Sequence, residues 1–69
     1  MSEIVFLVEE AAEGGFTAKA LGESIITEAN DLAELRTNVR DAVQCHFENE
    51  AQRPKVIRLH FVRDEVIAT

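Results

Sequence analysis

The chain has 69 residues, of which 13 are Asp or Glu and 7 are Lys or Arg, so its net charge is −6. This length fits one small domain, and the negative charge disfavours nucleic acid and anionic membranes while attracting a basic protein surface. The single cysteine, Cys45, excludes an intramolecular disulfide and fits a reducing cytoplasm, and a hydrophobic content of 46% excludes intrinsic disorder.

The predicted elements begin with a hairpin. Ile4–Val8 is an apolar run of β-favouring residues, which predicts a strand buried on both faces or at an interface between subunits. The run is too short to span a bilayer. Gly14 and Gly15 accept positive φ, and Phe16–Ala20 alternates apolar with polar residues, so a second strand returns beside the first. Ser24–Glu28 then predicts a short third strand.

A helix is predicted after the third strand. Asn30 or Asp31 is its N-cap, and Asp31 with Glu34 has the spacing of a capping box. The segment that ends in Pro54 terminates the helix, because proline cannot continue the hydrogen-bond ladder. Between these limits one apolar stripe recurs at steps of three and four and should pack on the sheet; it consists of Leu32, Leu35, Val39, Ala42, Val43 and His46.

A half-buried final strand is predicted over Lys55–Val62, where apolar and polar residues alternate. Its core face holds Ile57, Leu59 and Phe61, and its other face holds Arg58 and His60. Val66–Ala68 is apolar again and is either an ordered extension that pairs with another subunit or a loose tail. With no disulfide or metal to stabilise so small a core, oligomerisation is the favoured stabiliser.

Three sequence features occur in an order that is typical of one known domain. They are Glu13–Ala18 in the hairpin, Thr27–Leu35 across the helix start, and Ala42 within the helix. In this order the chain resembles the HicB-like antitoxin domain. The resemblance implies an α+β fold, a single-layer β-β-β-α-β arrangement with one helix packed on a mainly antiparallel sheet, akin to a ribonuclease-H-like fold that has lost its catalytic carboxylates.

The resemblance also implies a function. It implies an antitoxin-like protein-binding module that sequesters a small basic ribonuclease toxin, as part of a homodimer or homotetramer. Residues 1–69 are expected to form one HicB-like domain without the C-terminal DNA-binding module of such antitoxins, so direct nucleic-acid binding is not expected. The alternative is an orphan homo-oligomeric structural or interaction module of the same fold with no toxin partner.

Cys45, His46 and His60 are the residues whose chemistry would suit an active site or a metal site. Neighbouring helical positions diverge by about 100° around the axis, so Cys45 and His46 do not converge easily on one point. Structural zinc normally takes four ligands, and His60 lacks an evident acid–base partner. We therefore predict no catalytic residue, metal or cofactor, with His46 at the edge of the core, Cys45 partly buried and His60 facing solvent or a partner.

Glu9, Glu10 and Glu13 cluster at the first hairpin and form the candidate partner-binding patch. Carboxylates in such a cluster suit either Mg²⁺ or the cationic surface of an RNA-binding protein, although any single one is an ordinary solvated turn charge. As a group they are the best candidate for contact with a basic partner. Contact residues of the family are not transferred, because Leu21–Ser24 replaces the usual proline and glycine between strands two and three.

Overall fold

The computed structural model describes residues 2–69, and Met1, the first residue of the predicted domain, lies outside the described range. The order of elements is β-β-β-α-β, which confirms the predicted α+β fold. The elements are β1 (Glu3–Glu10), β2 (Phe16–Ala20), β3 (Ile26–Ala29), α1 (Leu32–His46), a 3-10 turn (Glu50–Gln52) and β4 (Val56–Val62).

The four strands form one sheet in the order β3-β2-β1-β4. β2 runs antiparallel to β1 and to β3, whereas β4 runs parallel to β1. The chain therefore crosses over from β3 through α1 to the far side of β1, and β4 becomes an edge strand. The sheet is mainly antiparallel, as predicted, but the parallel pairing of the first and last strands was not part of the prediction.

The turn between β1 and β2 depends on its two glycines. Gly14 and Gly15 have φ values of 98° and 84°, and Ala11 closes the turn with two backbone hydrogen bonds of 3.0 Å, one donated to the Gly15 carbonyl and one accepted from the Gly14 amide. A Cβ at position 15 would lie 2.6 Å from the carbonyl oxygen of Ala29. Gly15 is therefore required both by its backbone conformation and by the close approach of the end of β3.

The third strand begins later than predicted. Ala20 donates its amide to the carbonyl of Ile25 at 2.9 Å, which closes the connection between β2 and β3 around Ile25. Pairing with β2 then starts at Ile26 instead of Ser24. The side chain of Ile25 is nevertheless buried in the core.

Both ends of α1 are fixed by identifiable hydrogen bonds. The Asp31 carboxylate accepts the Glu34 amide at 2.8 Å, so Asp31 and not Asn30 is the N-cap. At the other end the Phe47 amide bonds to the Val43 carbonyl at 3.0 Å, and the helix stops well before the proline. The Arg53 guanidinium donates to the Phe47 carbonyl through Nε at 3.3 Å and Nη2 at 3.1 Å, which holds the connection to β4 against the helix end.

The core lies between α1 and one face of the sheet, here called the inner face. Small alanines on β2 and β3 let the helix approach closely, and Phe6 is the largest fully buried side chain. His46, predicted at the core edge of the apolar stripe, is exposed and outside the core. The buried residues are Ile4, Phe6, Val8, Ala18, Ala20, Ile25, Ala29, Leu35, Val39 and Val43.

The helix covers the sheet unevenly. α1 packs chiefly on β3 and β2, so the inner face of β4 is left partly open: Ile57 and Leu59 are half-buried and Phe61 is 50% exposed. The prediction that Phe61 faces a core is therefore wrong for the single chain. On the outer face, Val5 and Leu7 are half-buried, so β1 is not buried on both faces in this chain.

No helix within residues 2–69 has the length and apolar character needed to cross a membrane.

Candidate protein-binding surface

The three glutamates of the predicted patch lie together at one end of the sheet. Glu9 and Glu10 end β1, Glu13 lies in the turn that follows, and all three are exposed. Successive strand residues point to opposite faces, so Glu9 lies on the outer face and Glu10 on the inner side. The patch therefore wraps around the end of the sheet and does not occupy a single face.

The strand register adds a fourth carboxylate. Glu9 pairs with Thr17 on β2, and Thr17 pairs with Glu28 on β3, so the two glutamates flank the threonine on the outer face. Glu28 is exposed. Its backbone carbonyl accepts a 2.9 Å hydrogen bond from Asn38 Nδ2, which ties this part of β3 to α1.

Two shallow grooves extend the same surface. One, of about 280 Å³, runs from the glycine turn past Glu28 to Glu34 in the first turn of α1. The other, of about 360 Å³, joins the end of β1 to Arg63 and Asp64 beyond β4. We call the combined surface the acidic end; its carboxylates are Glu9, Glu10, Glu13, Glu28, Glu34 and Asp64.

The sequence placed only half of these carboxylates. Glu28, Glu34 and Asp64 are far from the hairpin in the chain and reach it through the β2–β3 register, the helix start and the β1–β4 pairing. The capping pattern of Asp31 and Glu34 predicts that Glu34 lies in the first helical turn, and it is the one local signal that points to this end of the molecule. Nothing in the sequence alone indicated the other two.

A basic surface lies between α1 and β4. Two adjoining grooves, of about 260 Å³ and 360 Å³, share Arg40 and Ile57. Their apolar floor comes from the uncovered inner face of β4 and from Val39 and Val43. We call them together the basic groove; its cationic residues are Arg36, Arg40, Arg53 and Lys55.

Arg58 lies on the outer face of β4 and is paired with Glu3 through its Nε. The hydrogen bond to Glu3, reinforced by the charge of that carboxylate, raises the pKa of Arg58 above its ordinary value. The Glu3 carboxylate therefore offsets the charge of this cation on the outer face.

The three reactive residues do not meet. His46 Nε2 lies 3.2 Å from Glu23 Oε2, and its ring stacks edge-on to Phe47 with centroids 4.9 Å apart. Cys45 is exposed, not partly buried as predicted, and His60 is on the outer face of β4 opposite Leu7. Among the described residues no group of three or more His, Cys, Asp or Glu side chains is arranged to hold a metal ion.

The chain is similar to two proteins of one family. It is 57% identical over 53 residues to a UPF0150 protein of Archaeoglobus fulgidus, a match covering 77% of each chain. It is 41% identical over 66 residues to a UPF0150 protein of Thermotoga maritima, covering 96% of this chain and 91% of that protein. No family model matches the sequence, and no solved structure matches it.

Proposed function

The chain belongs to the UPF0150 family, and we propose that it is an antitoxin-like module that binds and sequesters a small basic ribonuclease. The observation that carries the proposal is the acidic end, where exposed carboxylates from β1, β3, α1 and the segment after β4 converge. The resemblance to the HicB-like antitoxin domain supports the same function. Neither relative's name gives an enzymatic activity.

A ribonuclease offers the acidic end a chemically matched target. An enzyme that binds RNA presents Lys and Arg side chains to the phosphate backbone. Carboxylates compete for those cations because charge-assisted hydrogen bonds to Lys and Arg are stronger than neutral ones, and complementary charge speeds the encounter. The backbone of Glu9, Glu10 and Glu13 is held by a strand end and a tight turn, so the main chain of this surface does not have to be ordered on binding.

Inhibition would follow from occupancy of the ribonuclease surface. Cys45 and His46 lie at the end of α1 and His60 lies on the outer face of the sheet, so they share no point at which a substrate would react. In this proposal the chain therefore performs no chemistry of its own. It excludes RNA by covering the cations that RNA needs.

Charge reversal at the acidic end tests the proposal. The triple variant Glu9→Lys, Glu10→Lys, Glu13→Lys raises the net charge from −6 to zero, since each replacement adds two charges. Its control reverses three exposed acids outside the acidic end, at the same net charge. The control variant is Asp41→Lys, Glu48→Lys, Glu50→Lys.

On this proposal a small basic ribonuclease is encoded beside this chain's gene, and the assay uses that protein. We expect the native chain to stop RNA cleavage at one-to-one stoichiometry, and the acidic-end variant to associate at least roughly tenfold more slowly at low salt. The control variant should stay within about threefold of the native rate, because its acidic end is intact. Equal association rates for the two variants, or undiminished RNA cleavage with excess native chain, would contradict the proposal.

The alternative function is an orphan homo-oligomeric module with no toxin partner. The observation that favours it is the open β4 edge, which carries exposed apolar side chains at Val56, Phe61 and Val62. A genome in which no small basic reading frame adjoins the gene would favour this alternative.

A further inference from the structure

The sequence of β4 reads the same in chemical class from either end. The seven residues Val56–Val62 run apolar, apolar, basic, apolar, basic, apolar, apolar, with Leu59 at the centre. β4 is also an edge strand, so the backbone groups on the side away from β1 have no strand partner within residues 2–69. An edge of this kind is a template for another strand.

We propose that β4 pairs antiparallel with β4 of a second copy, with Leu59 on the two-fold axis. This inference deepens the homo-oligomeric part of the proposed function and does not depend on a toxin. Under a two-fold axis, a palindromic pattern of this kind places apolar residues opposite apolar residues. It also places Arg58 opposite His60 of the second copy, and the charge of Arg58 is already paired with Glu3 of its own chain. The two sheets would join into one, with both helices on the same face.

Full overlap of the two strands fixes the cross-strand pairs on each face. On the inner face, Ile57 meets Phe61 of the second copy and Leu59 meets Leu59, which adds partners to the strip that α1 leaves open. On the outer face, Val56 meets Val62 of the second copy. Apolar residues that are half-buried or exposed in one chain are thus buried against one another in the dimer. A domain of this size can bury only a small core by itself, so this added burial stabilises it.

The same register carries the segment after β4 onto the basic groove of the second copy. Residues 63–69 are exposed and continue beyond the strand. The molecule is accordingly elongated, 52 Å long but only 19 Å by 18 Å across. Its radius of gyration is 13.5 Å, whereas a compact chain of this length has about 11 Å. Val66 and Ile67 are 93% and 76% exposed, so they add little to the apolar burial among residues 2–69.

Charge complementarity selects that groove. Glu65 follows β4 by three residues and Arg53 precedes it by three, so the antiparallel register brings Glu65 to the end of the second copy's β4 where Arg53 lines the groove. Ile67, two residues further on, is then close enough to pack on the apolar floor formed by Val43 and Pro54. An acidic residue followed by apolar ones therefore meets cations beside an apolar floor.

The other edge of the sheet does not offer this match. β3 has only four residues, Ile26–Ala29, and its sequence of isoleucine, threonine, glutamate and alanine is not palindromic. A short edge strand with a charged residue is a common device against pairing. Ile26, 65% exposed on β3, is therefore a matched control for Phe61 on β4.

Light scattering after size exclusion is the first test, with the purified chain alone. The native chain at about 100 μM should have twice the 7.7 kDa mass of one chain. Phe61→Lys should give the mass of one chain with an unchanged far-UV circular dichroism spectrum, and Ile26→Lys should remain a dimer. A monomeric native protein, or a dimer that Ile26→Lys dissociates and Phe61→Lys does not, would overturn the proposal.

A cross-link gives a second reading that does not depend on a destabilising lysine. In a Cys45→Ser background, Leu59→Cys places two cysteines at the axis, where opposed residues of antiparallel strands have Cα atoms about 4.5–5.5 Å apart, within disulfide range. With oxidised glutathione this variant should become a covalent dimer, and Ile26→Cys in the same background should not. Equal cross-linking of both variants would exclude the β4 axis.

The groove contact is tested separately by Glu65→Arg, with Glu48→Arg as the control of equal charge. The first should raise the dimer dissociation constant several-fold at low salt, and the second should not. No ribonuclease is present in these measurements, so a negative result here does not bear on the sequestration of a ribonuclease. A negative result in the RNA-cleavage assay likewise does not bear on the pairing of β4 with β4. Equal dissociation constants for both variants would rule out the contact with the basic groove. The pairing of the two β4 strands would then be decided by the cross-link.

Discussion

Replacing either glycine of the first turn by alanine should destabilise the fold to different extents. Gly14 and Gly15 both have positive φ, where an alanine costs about 1–2 kcal/mol relative to the right-handed region. Around position 14 the space is open, so a Cβ there meets nothing within 4 Å. Gly14→Ala should therefore lower the free energy of unfolding by about 1–2 kcal/mol.

Gly15→Ala carries the same backbone cost and a collision in addition. Its Cβ would lie 2.6 Å from the carbonyl oxygen of Ala29, a backbone atom fixed by the Phe16–Ala29 pair of the β2–β3 ladder. Relieving that overlap shifts the strand, and overpacking of this kind costs about 1–3 kcal/mol. The total for Gly15→Ala is therefore about 2–5 kcal/mol, against a global stability of roughly 3–10 kcal/mol for a domain of this size.

Urea denaturation followed by far-UV circular dichroism measures both variants, at one protein concentration because an oligomer's stability depends on it. We expect Gly15→Ala to be less stable than Gly14→Ala by about 1–3 kcal/mol, with a melting temperature lower by roughly 4–8 °C for each kcal/mol. Two variants of equal stability, within about 0.5 kcal/mol, would show that the end of β3 does not press against the turn.

Three further substitutions test the helix and the core by the same denaturation assay. Asp31→Ala removes the N-cap and should cost about 1 kcal/mol, whereas the exposed Asp41→Ala should change stability by less than about 0.5 kcal/mol; equal losses would refute the cap. Asn38→Asp replaces the amide donor to β3 by an acceptor and should cost about 0.5–1.5 kcal/mol at neutral pH, since the hydrogen bond is exposed to solvent; an unchanged midpoint would show that this bond is dispensable. Leu35→Ala should cost about 2–5 kcal/mol because Leu35 is fully buried, and the exposed Leu21→Ala should cost less than about 0.5 kcal/mol; comparable losses would contradict the assigned core.

Local signals predicted local structure correctly. The Asp31 cap, the buried stripe through Leu35, Val39 and Val43, and the glycine turn all depend on residues within a few positions of one another. These preferences act between residues that are close in sequence, so they do not depend on how distant segments pack. The order of the elements followed from them, aided by the resemblance to a known domain.

Contacts between distant segments were not predictable in the same way. Alternation placed Phe61 on the same face of β4 as Ile57 and Leu59, but only the position of α1 over β2 and β3 shows that this face is half open and that Phe61 has no core to face in the single chain. Glu28 and Asp64 join the acidic end through strand register, and register is set by the packed sheet as a whole. The antitoxin function that the resemblance implies remains a prediction.

The pairing of β1 with β4 has a consequence for biosynthesis. Glu3 and Arg58, which bond across this pair, are 55 positions apart, so the apolar first strand leaves the ribosome long before its parallel neighbour exists. During that interval the nascent chain exposes a bare strand edge, the state in which chaperones bind and aggregation begins. Synonymous codon changes that slow translation between the two strands should therefore reduce the soluble yield without altering the finished protein.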